Sequence, residues 1–188
     1  MTREAGLARF ESSAPARTAR QRGAAAAATP TSPTVSAAGA VPRWAAPAGL
    51  ALSVAGLAVA AYLTVAHYTT SAILACSDSG IVNCGKVTTS PESVILGIPV
   101  AVLGLVFFAS MIGLNLPVAW RRGGLALGLV RQAAVVVGIG FVLYLVSAEL
   151  LIIGAICLWC TSVHALTFLL FLVVTAATVD AWPAWSGS

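Results

Sequence analysis

Four stretches of this chain contain one formal charge between them, Glu149: Ala48 to Ala66, Val94 to Trp120, the residues after Arg131 as far as about Ile153, and Cys157 to just before Asp180. About 20 apolar residues in a helix cross the hydrocarbon core of a bilayer, and a helix apolar on every side has no face to present to water. Each stretch is therefore a candidate span. Composition agrees, with 59% of residues hydrophobic and 9% charged, where about a quarter are charged in soluble domains. Mean hydropathy is +0.96. These features predict an all-α membrane protein, a four-transmembrane-helix bundle in the lipid bilayer without a sizeable soluble domain.

The segments between the spans are short except for two. Residues 1–47 combine Ala, Ser, Thr, Pro and Arg, with Ala24 to Ala28 followed by Thr29-Pro30-Thr31-Ser32-Pro33. Such sequence cannot bury enough surface to fold, so a disordered basic tail is expected. A cleaved signal peptide would place its apolar stretch nearer the start. Residues 48–180 form the expected four-helix membrane domain and 181–188 a short C-terminal tail. The second long segment, Thr69 to Ser93, is polar and reads as a water-facing loop. Pro99 is placed to mark the proper start of the second helix. Only Gly154, Ala155 and Ile156 connect the third and fourth runs, which predicts an antiparallel hairpin of helices.

Orientation follows from the basic residues, because cytoplasmic flanks are enriched in Arg and Lys. Arg3, Arg9, Arg17, Arg20, Arg22 and Arg43 lie in the tail, and Arg121, Arg122 and Arg131 lie between the second and third runs. The polar loop holds only Lys86. Both termini are thus expected to be cytoplasmic, with the polar loop on the outer face. The basic excess belongs to the tail, where it suits weak contact with anionic lipid, and no nucleic-acid partner is expected.

This topology places all four cysteines at the outer surface, where disulfides persist. Cys157-Leu158-Trp159-Cys160 opens the fourth run. Residues three apart on a helix share a face at a Cα separation that a disulfide can close. The positive helix N-terminus lowers a nearby thiol pKa and favours the thiolate that performs disulfide exchange. The plainer alternative is a pair of small core residues. Cys76 and Cys84 are eight positions apart across Gly and Asx residues that let the chain turn back, so they can close a loop, either as a static bridge or as a redox pair. Two neighbouring pairs on one surface could exchange electrons through a mixed disulfide.

Several residues together carry a family likeness: the offset from Cys76 to Cys84, Ser90 six residues later, Gly97-Ile98-Pro99, Glu149 eight residues before Cys157, and Cys-x-x-Cys opening the last helix. Over about residues 48 to 178 this pattern resembles the bacterial, disulfide-forming branch of the vitamin K epoxide reductase family. The resemblance implies a protein-disulfide-forming quinone reductase of the bacterial inner membrane. Cys76 and Cys84 would take electrons from a separate thioredoxin-fold thiol oxidase outside the membrane. Cys84 would exchange with Cys157, and Cys160 would face a quinone of the menaquinone or ubiquinone type.

Ser90 and His164 are further candidates beside that acceptor. Ser90-Pro91-Glu92 also reads locally as a helix start with Ser as N-cap. His164 lies four residues after Cys160, on the same helix face and about 6 Å deeper. It could donate a hydrogen bond or a proton to a quinone oxygen, or could be satisfied by a backbone carbonyl. Animal members have tyrosine at that position and an asparagine near the start of the second helix. Here Asn115 lies towards the other end, so the likeness does not extend to vitamin K epoxide as substrate. Glu149 is either an interfacial carboxylate that reaches water or a functional group. His67 and Tyr68 end the first span and are given no chemistry. Two competing functions remain: a soft-metal site for copper or zinc on Cys157, Cys160 and His164, and a four-span scaffold with two structural disulfides.

Overall fold

The computed structural model describes residues 41–186 apart from positions 77 and 123. The tail expected over residues 1–47 therefore lies, through residue 40, outside the described residues. Helix α1 spans Ala45–Tyr68, with Pro47 in the first turn, where a missing N–H costs nothing. Past a 3₁₀ turn at Ser71–Ile73, β1 (Asp78–Ser79) pairs antiparallel with β2 (Val82–Asn83), Asp78 opposite Asn83. Helix α2 (Cys84–Thr88) follows at once, its first turn capped by the Asn83 side chain, which accepts the Lys86 N–H at 2.8 Å.

The second apolar run does not form one helix from Val94 to Trp120. Val94–Ile95 (β3) and Ile98–Pro99 (β4) pair as a hairpin, turned by Leu96 and Gly97 at φ 52° and 82°. Helix α3, Val100–Asn115, begins directly after Pro99 and is 16 residues long. It ends there because Pro117 disfavours helical backbone at Leu116. The short α4, Pro117–Arg122, follows.

The third helix, by contrast, starts earlier than expected. Helix α5 covers Gly124–Ser147 and runs into a π turn at Ala148–Ile153, closed by Gly154 at φ 63°. Arg131 is therefore not part of the connection but lies inside α5, 1% exposed. Its Nε and Nη2 donate to the Leu114 carbonyl at 3.1 and 2.6 Å, and its guanidinium lies over the Trp120 ring. The early end of α3 left that carbonyl without a helical partner, and a cation suits a helix C-terminus. Helix α6, Leu158–Ser186, continues through the residues expected to form a C-terminal tail.

Three of these helices, Ala45–Tyr68, Gly124–Ile153 and Leu158–Pro183, are long and apolar enough to cross a membrane. The 16 residues of α3 rise about 24 Å, short of a hydrocarbon core of about 30 Å. Helix α1 packs most extensively on α3 and α6, and α5 on α6, as their short connection requires. Large apolar side chains such as Val137, Leu151 and Val179 point outward, the arrangement of a bundle solvated by lipid rather than water.

Without a hydrophobic force between lipid-exposed helices, close backbone approach supplies the packing. Gly49, Ser53, Gly56 and Ala60 form the buried edge of α1. A methyl group on Gly56 would collide with the Phe108 ring and one on Gly49 with the Asn115 side chain. Gly56→Val should therefore destabilise the α1–α3 contact by about 1–3 kcal/mol. Thermal unfolding in detergent would read this as a clear drop in midpoint, and an unchanged midpoint would show that the helices do not meet there.

Candidate active site

Both cysteine pairs lie at one end of the bundle. Cys76 and Cys84 are joined in a disulfide with Cα atoms 6.1 Å apart. Tyr62 of α1 anchors the loop before Cys76, its hydroxyl donating to the Ile73 carbonyl at 2.6 Å and accepting the Ala75 N–H at 3.1 Å. The Tyr62 ring meets Trp159 edge-on at 4.8 Å.

The far side of the loop is held by backbone. Val82 and Ile156 form a parallel bridge, in which Ile156 N–H donates to the Ile81 carbonyl at 2.8 Å and Asn83 N–H to the Ile156 carbonyl at 3.1 Å. Lys86 adds a third tie, its Nζ donating to the Ile153 carbonyl at 2.6 Å. The bridge joins Val82, two residues before Cys84, to Ile156, one residue before Cys157. Cys84 and Cys157 are both fully buried in one cluster with Leu63, Ala66, Leu74, Val87 and Ala155.

Cys157 sits at the N-cap of α6, since its carbonyl accepts the Thr161 N–H at 2.9 Å. Its sulfur takes the place of a capping oxygen, accepting the Cys160 N–H at 3.3 Å. Cys157 and Cys160 are free thiols. A hydrogen bond from the Cys160 thiol, aided by the backbone N–H groups of residues 160 and 159, holds the Cys157 thiol below the ordinary range against the opposing effect of burial. A thiolate at the head of a helix is a competent nucleophile for disulfide exchange.

Cys160 opens onto a small cavity of about 80 Å³ lined also by His164, Ser90, Glu149, His67 and Glu92. The structure thus brings Cys160, His164 and Ser90 around one space. Ser90 occupies an N-cap position without a side-chain cap bond; its Oγ donates to the Val87 carbonyl at 2.9 Å. His164 is 8% exposed, and among the described residues its ring makes no hydrogen bond, so the carbonyl-satisfied alternative does not hold. It also borders a second, apolar cavity between α3, α5 and α6, with Phe107, Phe108 and Phe141.

Other expectations fare differently. Among the described residues no three His, Cys, Asp or Glu side chains come together as a metal site, so Cys157, Cys160 and His164 do not form the copper or zinc centre considered above. The double-bridge scaffold finds one pair closed and one open. Asn115 is buried against Gly49, remote from the cavity lining. His67, given no role from sequence, lines the cavity. Its spacing of four residues from buried Leu63 and seven from Ala60 is the signal that could have found it.

The Cys157 hydrogen bond has a measurable consequence. Because its pKa is lowered, the thiolate persists as pH falls below the ordinary thiol range. In reduced protein, the pH midpoint of Cys157 alkylation by a small reagent should lie below that range, and Cys160→Ala should raise it. An equal midpoint in both proteins would show that the Cys160 thiol does not tune Cys157.

The model of the vitamin K epoxide reductase family matches residues 47–175, from the first turn of α1 into α6, a stretch that holds both cysteine pairs and the whole cavity lining. No curated protein matches the chain. With a disulfide loop pinned over a Cys-x-x-Cys helix head, and with that match over most of its length, the chain belongs to the vitamin K epoxide reductase family.

Proposed function

We propose that this protein oxidises a thioredoxin-fold thiol oxidase outside the cytoplasm and delivers the electrons to a quinone through its two cysteine pairs. The family is one of oxidoreductases, and the site described here is that of a membrane thiol oxidoreductase. One observation supports the finer reading: the Val82–Ile156 bridge ties the loop to the chain just before Cys157, and Cys84 and Cys157 are buried in one cluster, while Cys160 lines the cavity.

In this scheme the partner's dithiol reduces the Cys76–Cys84 disulfide, with Cys76, the less buried sulfur, as the accessible end. The Cys84 thiolate then attacks Cys157 of an oxidised Cys157–Cys160 pair. A Cys84–Cys157 mixed disulfide forms, Cys160 leaves as thiolate, and Cys76 resolves the mixed disulfide. The resulting Cys157–Cys160 dithiol gives two electrons and two protons to the quinone. His164 and Ser90 would flank its ring, and the apolar cavity beside His164 suits a hydrocarbon tail. Residues 48–180 would act as a four-span redox domain of the bacterial inner membrane, α3 and α4 together completing the second span. Both termini would be cytoplasmic, the cysteine end outward, residues 1–47 a basic tail and 181–188 the C-terminal end.

The test is quinone reduction by purified protein, driven by a reduced thioredoxin-fold oxidase. Cys157→Ala and Cys160→Ala should abolish turnover. Cys76→Ala and Cys84→Ala should fail with the protein donor yet keep some turnover with a small dithiol. A wild type inactive with both quinone types, matched by all four variants, would overturn the relay.

A further inference from the structure

The scheme above gives no task to Glu149. This side chain is 6% exposed on the π turn Ala148–Ile153. It lines the same cavity as Cys160 and His164, and its carboxylate lies towards the backbone N–H of Cys157. It is near enough to both free thiols for its charge to act on them. No lysine or arginine pairs with it among the described residues. Lys86, on the helix packed against the turn, commits its ammonium to the Ile153 carbonyl.

An ionisable group within a membrane span is costly and persists where it has a function. π turns inserted in helices also concentrate at functional sites. Structural capping alone does not require a carboxylate, since a neutral amide oxygen would accept the Cys157 N–H equally. What a carboxylate adds at this place is the ability to take up and release a proton beside two thiols.

We propose that Glu149 is the proton carrier of the dithiol-oxidising step, a role that rests on the reading of the cavity as the quinone site. In that step two S–H bonds break and one S–S bond forms between Cys157 and Cys160. Two electrons pass to the quinone, and two protons complete its two O–H bonds. The Glu149 carboxylate accepts the proton of the attacking thiol and releases it towards the acceptor oxygen, ending in the form in which it began. His164 stands on the acceptor side, one helical turn beyond Cys160. His67 on α1 and Glu92 after α2 are the other titratable groups of the cavity wall, and both sit on the elements that close it.

The experiment compares wild type, Glu149→Gln and Glu149→Asp, each reduced at Cys157–Cys160 and mixed with a short-chain quinone for a single turnover across pH. Glutamine keeps an acceptor for the Cys157 N–H but cannot carry a proton. Glu149→Gln should slow quinone-dependent oxidation by about 100-fold or more and erase the limb of the pH profile on which rate rises with deprotonation. Aspartate should restore part of the rate. Formation of the Cys84–Cys157 mixed disulfide in a Cys160→Ala background, in which the Cys157 thiolate attacks Cys84 and Cys76 leaves, passes no proton to an acceptor and should change far less with the glutamine than the quinone step does. A wild-type rate and pH profile in Glu149→Gln, or equal slowing of both steps, would overturn the proposal. Failure of quinone to oxidise the wild-type dithiol would remove the acceptor reading itself, and this role with it.

Discussion

Two backbone hydrogen bonds, one on each side of Ile156, hold the catalytic end of this protein together. Without them the loop carrying Cys76 and Cys84 would be tied to the bundle mainly through Tyr62 and Lys86 side-chain bonds. A backbone bridge is stiffer than a side-chain tether because neither partner has rotamers to lose. It also sets register: Ile81 and Asn83 bracket Ile156, so the residue after each bridged segment is a cysteine. The connection from α5 to α6 can accept this partner only because it is not helical. Gly154 takes a left-handed φ of 63° to end the π turn, freeing the Ile156 N–H and carbonyl to pair with the loop.

The same end of the bundle is hollow for related reasons. Helix α3 starts only at Val100, after the hairpin, and contributes small residues, Ala101 and Gly104, to the cavity wall. Helix α5 is widened into a π turn where it reaches that wall. At the middle of the bundle, by contrast, Phe108, Met111, Leu170 and Val174 are fully buried against α1, where Gly56 lets the phenyl ring approach its backbone. Irregular backbone at this end produces the cavity next to Cys160, and the second, apolar cavity continues from it between α3, α5 and α6 past His164.

Much of the helical architecture was legible because an uncharged apolar run has few alternatives in a chain this poor in charge. What hydropathy cannot supply is the difference between an apolar helix and an apolar strand. Val94, Ile95 and Ile98 are as hydrophobic as the helix they precede, and the hairpin became visible only in the pairing of Val94 with Pro99. Two prolines carried the boundary signal through the residue before them: Ile98 ahead of Pro99 and Leu116 ahead of Pro117 are both steered away from helix. Arg131 was misplaced because a charge beside an apolar run reads as an end. Its burial depends on an unpartnered carbonyl at Leu114 and on the Trp120 ring, which no local pattern encodes. The cysteine pairs were legible as pairs, but their mutual seating depends on the Ile156 bridge and had no sequence signal. His67 was passed over since an interfacial position explains a histidine at the end of a span without any cavity.

The order of the groups follows a gradient of polarity. Cys76 lies on the loop, partly buried, and Cys84 and Cys157 are sealed from solvent in one cluster. Cys160 lines a cavity shared with His164, and beyond His164 the walls are aromatic and aliphatic. Thiol exchange needs only sulfur in contact with sulfur, so the middle of this path can be dry. Proton movement does not tolerate that dryness, because a proton needs a carrier wherever water is absent. Two imidazoles and two carboxylates, His67, Glu92, Glu149 and His164, line the cavity beside Cys160. That grouping sets protonatable side chains beside the thiol that the proposed scheme turns towards a lipid-soluble acceptor.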